Sequence, residues 1–408
     1  MQAFSLRWAV LAFFSLVLTS CTVLTRDPPV PPPLSRAAPF DFRQIRFLPF
    51  EDGATIRQSI KRAYVEETAD NYTTGPGGER IYHYLAVSGG GSDGAFGAGL
   101  INGWTENGSR PSFKIVTGIS TGALIAPFAF LGPDYDDELK ASYTEVDSNR
   151  IFIPRGVLPL LWSEAMASTE PLEDLIGTYM TKDVLDAIAK EYAKGRRLYV
   201  ASTNLDAEQP VIWDMGAIAS SASPDRMKLF HKVLLASASI PSMFPPVLMD
   251  VAIEGKKYQE MHVDGGVFFQ SFFVGSVIDL PRTIRTAHPD YTGKVEQHLY
   301  VIRNGWVSPS PQPVQRALPS ISMRTILSML KVSGINDLWR LYIATRDDDV
   351  QFHYVAIPAD YVPSTMEQFN QVEMNREFDF GHEMAVKGVP WRTAPPGYAA
   401  PQSDIAQE

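Results

Sequence analysis

Two glycine-rich turns, each set between an apolar run of strand length and one of helix length, constrain this chain more than any other feature. The first, Ser88-Gly89-Gly90-Gly91-Ser92-Asp93-Gly94, follows a predicted strand over 82–87 and opens a predicted helix over 95–107. The second, Gly118-Ile119-Ser120-Thr121-Gly122, follows a strand over 113–117 and opens a helix over 122–130. The alternation continues, with strands expected over 198–203, 211–214, 298–303 and 350–357 and helices over 172–192 and 323–345. Such a pattern folds as an α/β sheet covered by helices on both faces.

Consecutive glycines at a helix start let backbone N–H groups converge on an anion. Gly89, Gly91 and Gly94 also satisfy the GxGxxG dinucleotide fingerprint, which further requires an acid at the end of the next strand. That strand ends in Thr117-Gly118, so the fingerprint is incomplete. An oxyanion is as good a guest as a phosphate. In the second turn, GxSxG between strand and helix raises a serine hydroxyl out of the sheet; taken alone, Ser120 could equally be a helix N-cap. A serine nucleophile needs a base. The histidines after it, His231, His262, His288, His298, His353 and His382, occupy no distinctive turn, although an α/β-hydrolase with a Ser-His-Asp triad would draw on one of them. A second candidate base is Asp264, which ends an apolar stretch and precedes Gly265-Gly266; a plain Asp-Gly turn is the simpler reading of those three residues.

In order, Gly89-Gly90-Gly91-x-x-Gly94, Gly118-x-Ser120-x-Gly122 and Asp264-Gly265-Gly266 resemble the three signatures of the patatin-like phospholipases. The segment Leu235-Ala236-Ser237-Ala238-Ser239-Ile240-Pro241 is similar to that family's approach to its aspartate, and the likeness covers about residues 83 to 270. The resemblance implies a three-layer α/β sandwich with a mostly parallel central sheet. It also implies a serine acyl-ester hydrolase of phospholipase, lysophospholipase or lipase type that needs no cofactor or metal. Ser120 would be the nucleophile and Asp264 its base in a Ser-Asp dyad, with Gly89, Gly90, Gly91 and Gly94 forming the oxyanion loop. Such a base should be buried, because its pKa must rise above the ordinary value of about 3.9. Where the family usually carries Arg or Lys this chain has Asp93, and Leu234 or Leu235 stands where a basic residue is often found. A carboxylate beside the oxyanion loop is expected to repel an anionic headgroup. An inert patatin scaffold serving as an envelope interaction protein is the non-enzymatic alternative.

The N-terminus adds a location. Arg7 precedes an apolar run over 8–18, too short to span a bilayer as a helix, and Leu18-Thr19-Ser20-Cys21 resembles the lipobox of bacterial lipoproteins. That resemblance implies a signal peptide over 1–20, lipidation of Cys21 and, with Thr22 next, a place in the outer membrane of a diderm envelope. Prolines at 28, 29 and 31–33 predict an extended tether over 21–45. The hydrolase domain is then expected over 46–393 and a flexible tail over 394–408. With one cysteine in 408 residues, a disulfide framework is excluded, and a net charge of −10 argues against nucleic acid as partner. The apolar runs 151–162 and 267–274 fit either ordinary core or an acyl channel. Arg346-Asp347-Asp348-Asp349 reads as a solvated turn.

Overall fold

In a computed structural model of the chain, the described residues are 26–398 except 40, 41, 43, 52, 147–149, 152, 155–164 and 366. Cys21, the expected signal peptide over 1–20 and most of the apolar run 151–162 therefore lie outside the described residues.

One sheet organises the body. Its longer strands are β1 (Arg80–Val87), β2 (Ile115–Gly118), β3 (Arg197–Asn204), β4 (Gln209–Asp214), β5 (Val247–Ile253), β6 (Lys256–Asp264), β7 (Val295–Trp306) and β8 (Gln351–Ile357). Strands β3, β2, β1, β7 and β8 lie side by side in that order, all parallel. Strands β4 and β6 join β3 antiparallel, and β5 pairs antiparallel with β6. The helices are α1 (Gly53–Val65), α2 (Gly94–Glu106), α3 (Thr121–Leu131), α4 (Asp136–Thr144), α5 (Glu170–Tyr179), α6 (Lys182–Ala193), α7 (Arg226–Ser237), α8 (Leu280–Ala287), α9 (Leu318–Asp347) and α10 (Gln371–Val386).

Alternate side chains of a strand face opposite ways. Tyr82, Tyr84 and Ala86 of β1 enter a core shared with Ile60 of α1, Ile284 of α8 and Leu338 of α9. Leu85 and Val87 enter the other core, with Phe96 of α2, Phe128 of α3, Leu185 of α6 and Phe230 of α7. The result is a three-layer α/β sandwich with a parallel centre and antiparallel flank.

Three expectations change. The helix over 172–192 is two helices, broken where Thr181 caps α6 by accepting from Val184 N at 3.4 Å. The stretch 21–45 is not an extended tether from Arg26 onward. Val30, Leu34, Ala37, Phe42 and Ile45 are buried in the core, Ala38–Pro39 pairs with β5, and Pro28 O accepts from Gln259 N, because apolar residues between the prolines gain more from burial than from solvent. The tail also begins later than 394, since Tyr398 packs on Trp339 and Tyr342.

Candidate active site

Strand β3 brings the two motif ends together. Both β2 and β6 pair along it, β2 over residues 197–200 and β6 over 202–204, while β4 pairs with β3 over 199–204. Gly118 stands opposite Val200 and Asp264 opposite Ser202. Because β2 runs with β3 and β6 runs against it, their C-terminal ends converge. Ser120 and Asp264, 144 positions apart by their numbers (264 − 120), thus leave adjacent strand ends.

Ser120 sits on a sharp elbow at φ 55°, ψ −127°. This is a rare conformation for a side-chain-bearing residue, costing about 1–3 kcal/mol. Its flanking glycines are required by space: a Cβ at Gly118 would lie 2.3 Å from Gly122 O, and one at Gly122 would lie 2.2 Å from Val87 O. The elbow is tied from below. Ser120 N donates to Ser237 Oγ at 3.0 Å, Ser237 Oγ donates to Ala201 O at 2.7 Å, and Asp264 N donates to Ser239 O at 2.9 Å. The Ser-Ala-Ser segment at the end of α7 therefore holds both motif backbones at once.

Asp264 is 5% exposed. Its Oδ1 accepts from Gly266 N at 2.7 Å, whereas Oδ2 is buried with no hydrogen-bond partner of ordinary geometry. Burial pushes the carboxyl up to about 7, against smaller downward pulls from the neighbouring Ser120 hydroxyl and Gly266 N–H. Gly265 cannot be larger, as its Cβ would fall 2.5 Å from Ala201 O.

The first glycine turn closes over this pair; a Cβ at Gly89 would lie 3.2 Å from Ser120 Cβ, and one at Gly94 2.1 Å from Thr121 Oγ1. Among the described residues no hydrogen bond from Gly90 N or Gly91 N is found, whereas Gly89 N donates to Gln270 O at 3.2 Å. Arg303, at the C-terminal end of β7 and 5% exposed, holds the loop from behind. Its Nη1 donates to Gly89 O at 2.8 Å and Ser88 Oγ at 3.1 Å. Asn304 adds bonds from its N to Ser88 Oγ at 2.9 Å and from Nδ2 to Ser88 O at 2.8 Å. No sequence motif marks Arg303 or Asn304; a basic residue ending a parallel strand beside two glycine turns was the available signal.

Ser120 opens onto a cavity whose walls are almost wholly apolar: Leu124 and Phe128 of α3, Leu172, Leu175 and Ile176 of α5, Ile240 and Phe244 after α7, and Phe369 and Met374 around the start of α10. Gly91 and Thr121 stand at the serine's end of it. Of the two runs read as core or channel, 267–274 is not in this wall; Phe272, Phe273 and Val274 belong to the core on the other sheet face. From 151–162 only Ile151 reaches the cavity among the described residues.

No described histidine lines the cavity. His262 contacts Ser202 Oγ and Glu260, His298 and His353 contact each other, His231 contacts Met180 O, His288 meets Tyr64 O and Glu67, and His382 meets Glu106. A Ser-His-Asp triad has no geometry here. No group of three His, Cys, Asp or Glu suited to a metal ion occurs among the described residues, the Asp347–Asp349 run included.

A family model described as patatin-like phospholipase matches residues 85–274. No curated protein matches the chain. The solved structures that are distantly similar include two of named proteins. VipD from Legionella pneumophila is 12% identical, over 78% of this chain and 70% of that one, with a TM-score of 0.37. The type III effector protein ExoU is 14% identical, over 80% of this chain, which spans 57% of ExoU, with a TM-score of 0.21.

Proposed function

We propose that this chain, which belongs to the patatin-like phospholipase family through residues 85–274, hydrolyses acyl esters of lipids through a Ser120–Asp264 dyad. The observation that supports this reading is the convergence of β2 and β6 on β3, by which a strained serine at one end of an apolar cavity and a buried carboxyl leave adjacent strand ends.

Ser120 Oγ attacks the ester carbonyl carbon while Asp264 Oδ2 takes its proton. The carbonyl π electrons move to oxygen, and the resulting oxyanion accepts hydrogen bonds from the N–H groups of Gly90 and Gly91, helped by the positive end of α3. When the C–O bond breaks, the proton on Asp264 passes to the leaving alcohol, leaving acyl-Ser120. Water, deprotonated by Asp264, then attacks the acyl carbon; as the bond from that carbon to Ser120 Oγ breaks, the proton on Asp264 passes back to Oγ, which releases the fatty acid and restores the free enzyme. The acyl chain occupies the apolar cavity throughout, which keeps bulk water from the ester.

The expected repulsion of an anionic headgroup by Asp93 is offset. Burial raises the Asp93 carboxyl while Arg303 acts against that rise, Glu373 is paired with Arg376, and burial and the neighbouring carboxylates raise Glu377. Phospholipids and lysophospholipids are thus substrates of this reading. Anchoring to the bacterial envelope, and to its outer membrane in a diderm, through acylated Cys21 is part of the same proposal. It is tested by radiolabelled palmitate incorporation, which Cys21→Ser should abolish.

The deciding experiment is a fluorophosphonate probe followed by peptide mapping, run beside a panel of phospholipids and neutral acylglycerols. Label on Ser120 with fatty-acid release is the expected result; folded protein that takes no label is an inert scaffold. Two further results are expected. The acid limb of kcat/KM on a soluble ester should fall at about pH 7, since Asp264 acts only when ionised and burial has raised it; a limb near pH 4 assigns the base elsewhere. Arg303→Met should lower kcat on the order of 10²-fold with little change in KM, because the oxyanion loop loses the donor at Gly89 O. Partial recovery in Arg303→Lys would separate positioning from collapse of the loop.

A further inference from the structure

The long helix α9 is half built into the site and half outside it. Its middle is anchored: Asp337 Oδ2 accepts from Gln270 N at 2.5 Å and Ser271 N at 3.1 Å, and Gly334 lies so close to Arg303 that a Cβ would meet Nε at 2.8 Å. Gln270 O in turn accepts from Gly89 N of the oxyanion loop. From Gly334 back to Leu318 the helix runs about 24 Å at its ordinary rise, and there its apolar residues face solvent. Leu318 is 79% exposed, Ile321 50%, Met329 67% and Val332 53%. At about 100° per residue these four fall within about 80° of arc, a stripe interleaved with Ser322, Thr325 and Ser328, while Leu327, 47% exposed, lies on the opposite side of the helix.

The charge of this segment is the reverse of the chain's. The whole chain carries −10, yet no acidic residue occurs between Glu296 and Asp337, where Arg303, Arg316, Arg324 and Lys331 are found. Arg324 and Lys331 donate to Ser310 and Ser308 and so fix the preceding loop against the helix. No helix among the described residues is long and apolar enough to cross a membrane, α9 included. An apolar stripe beside cations, on a helix unable to span, is the pattern of a segment that lies in a lipid interface.

We infer that the N-terminal half of α9 docks the enzyme on an anionic lipid surface, inserting Leu318, Ile321, Met329 and Val332 among its acyl chains. This rests on the lipid hydrolase reading and adds the surface on which that hydrolase works.

Cys21 is the sole cysteine, so the full chain carrying Cys21→Ser and Met329→Cys takes one environment-sensitive fluorophore at position 329. With vesicles of phosphatidylglycerol and phosphatidylcholine, emission should shift to the blue and fall by about half or more when the acyl chains are brominated. The same label at Glu254→Cys, on the exposed turn between β5 and β6, should not respond. Equal quenching at both positions, or none at 329, overturns the inference. So does a blue shift that needs no vesicles and accompanies a doubled mass in light scattering, which would make a second copy the occupant. In parallel, the combined Leu318→Ser, Met329→Ser and Val332→Ser variant should hydrolyse a soluble ester within about twofold of the parent but vesicle lipid about tenfold more slowly. Equal losses on both substrates would mean that the stripe supports the fold of the site, against docking. A parent inactive on both substrates but quenched at 329 rejects the hydrolase reading and supports docking.

Discussion

Replacing Ser120 by alanine should reduce fatty-acid release by about 10⁴-fold or more, to the level that the oxyanion loop and binding alone can supply. In the proposed mechanism this hydroxyl is the atom that forms the acyl bond, and the other hydroxyl of the elbow, Thr121 Oγ1, is engaged by Tyr143 Oη at 2.5 Å. The fold should survive. The bond that fixes the elbow runs from the Ser120 backbone N–H to Ser237 Oγ, and alanine keeps it. The check is turnover on a soluble ester together with thermal denaturation. An unchanged melting temperature with turnover intact would remove Ser120 from the chemistry, and fluorophosphonate label on another residue in that variant would name its replacement.

Asp264→Asn should produce a loss of similar size, about 10³- to 10⁴-fold, since the amide keeps the acceptor for Gly266 N but cannot take the serine's proton. Its effect on stability should run the other way and depend on pH. Burial lifts the carboxyl from 3.8 to about 7 in the folded protein. Below pH 4 the folded and unfolded chains both hold the proton, and asparagine gains nothing. Between 4 and 7 the unfolded chain ionises while the folded one does not, so native stability drains away as pH rises; above 7 the full penalty of a buried charge is present. The variant should therefore melt above the parent at pH 8 and level with it at pH 4. A variant that melts below the parent at pH 8 would mean that the ionised carboxylate is stabilised by partners, contrary to the orphaned Oδ2. In the proposed mechanism, holding the base at this disadvantage trades stability for function.

The same physics explains how much of this site was legible beforehand. A Cβ at Gly89, Gly90, Gly94, Gly118, Gly122, Gly265 or Gly266 would meet a neighbouring atom at 2.1–2.7 Å and Gly91 has φ 61°, and because each turn gathers these demands within a few consecutive residues they leave a visible pattern in the chain. Strands such as 82–87 and helices such as 95–107 were legible for the same reason, since their apolar periods are local. The break at Thr181 was missed because helical periodicity runs on through it, while a side-chain cap decided the boundary. Helices α4, α7 and α10 were missed because their apolar stripes are short or interrupted, and packing on the sheet stabilises them more than their own propensity does.

Read along the chain, the residues named a nucleophile, a base and an anion loop, because those roles demand particular chemical groups in particular turns. They could not say that 120 and 264 leave neighbouring strand ends, that Arg303 from β7 stands behind Gly89, or that α5 and the start of α10 wall the apolar cavity. Each of those depends on strand order and on contacts between residues far apart in sequence. Such contacts are set by the burial of whole faces against one another, an energy that belongs to no single segment and so leaves no local mark.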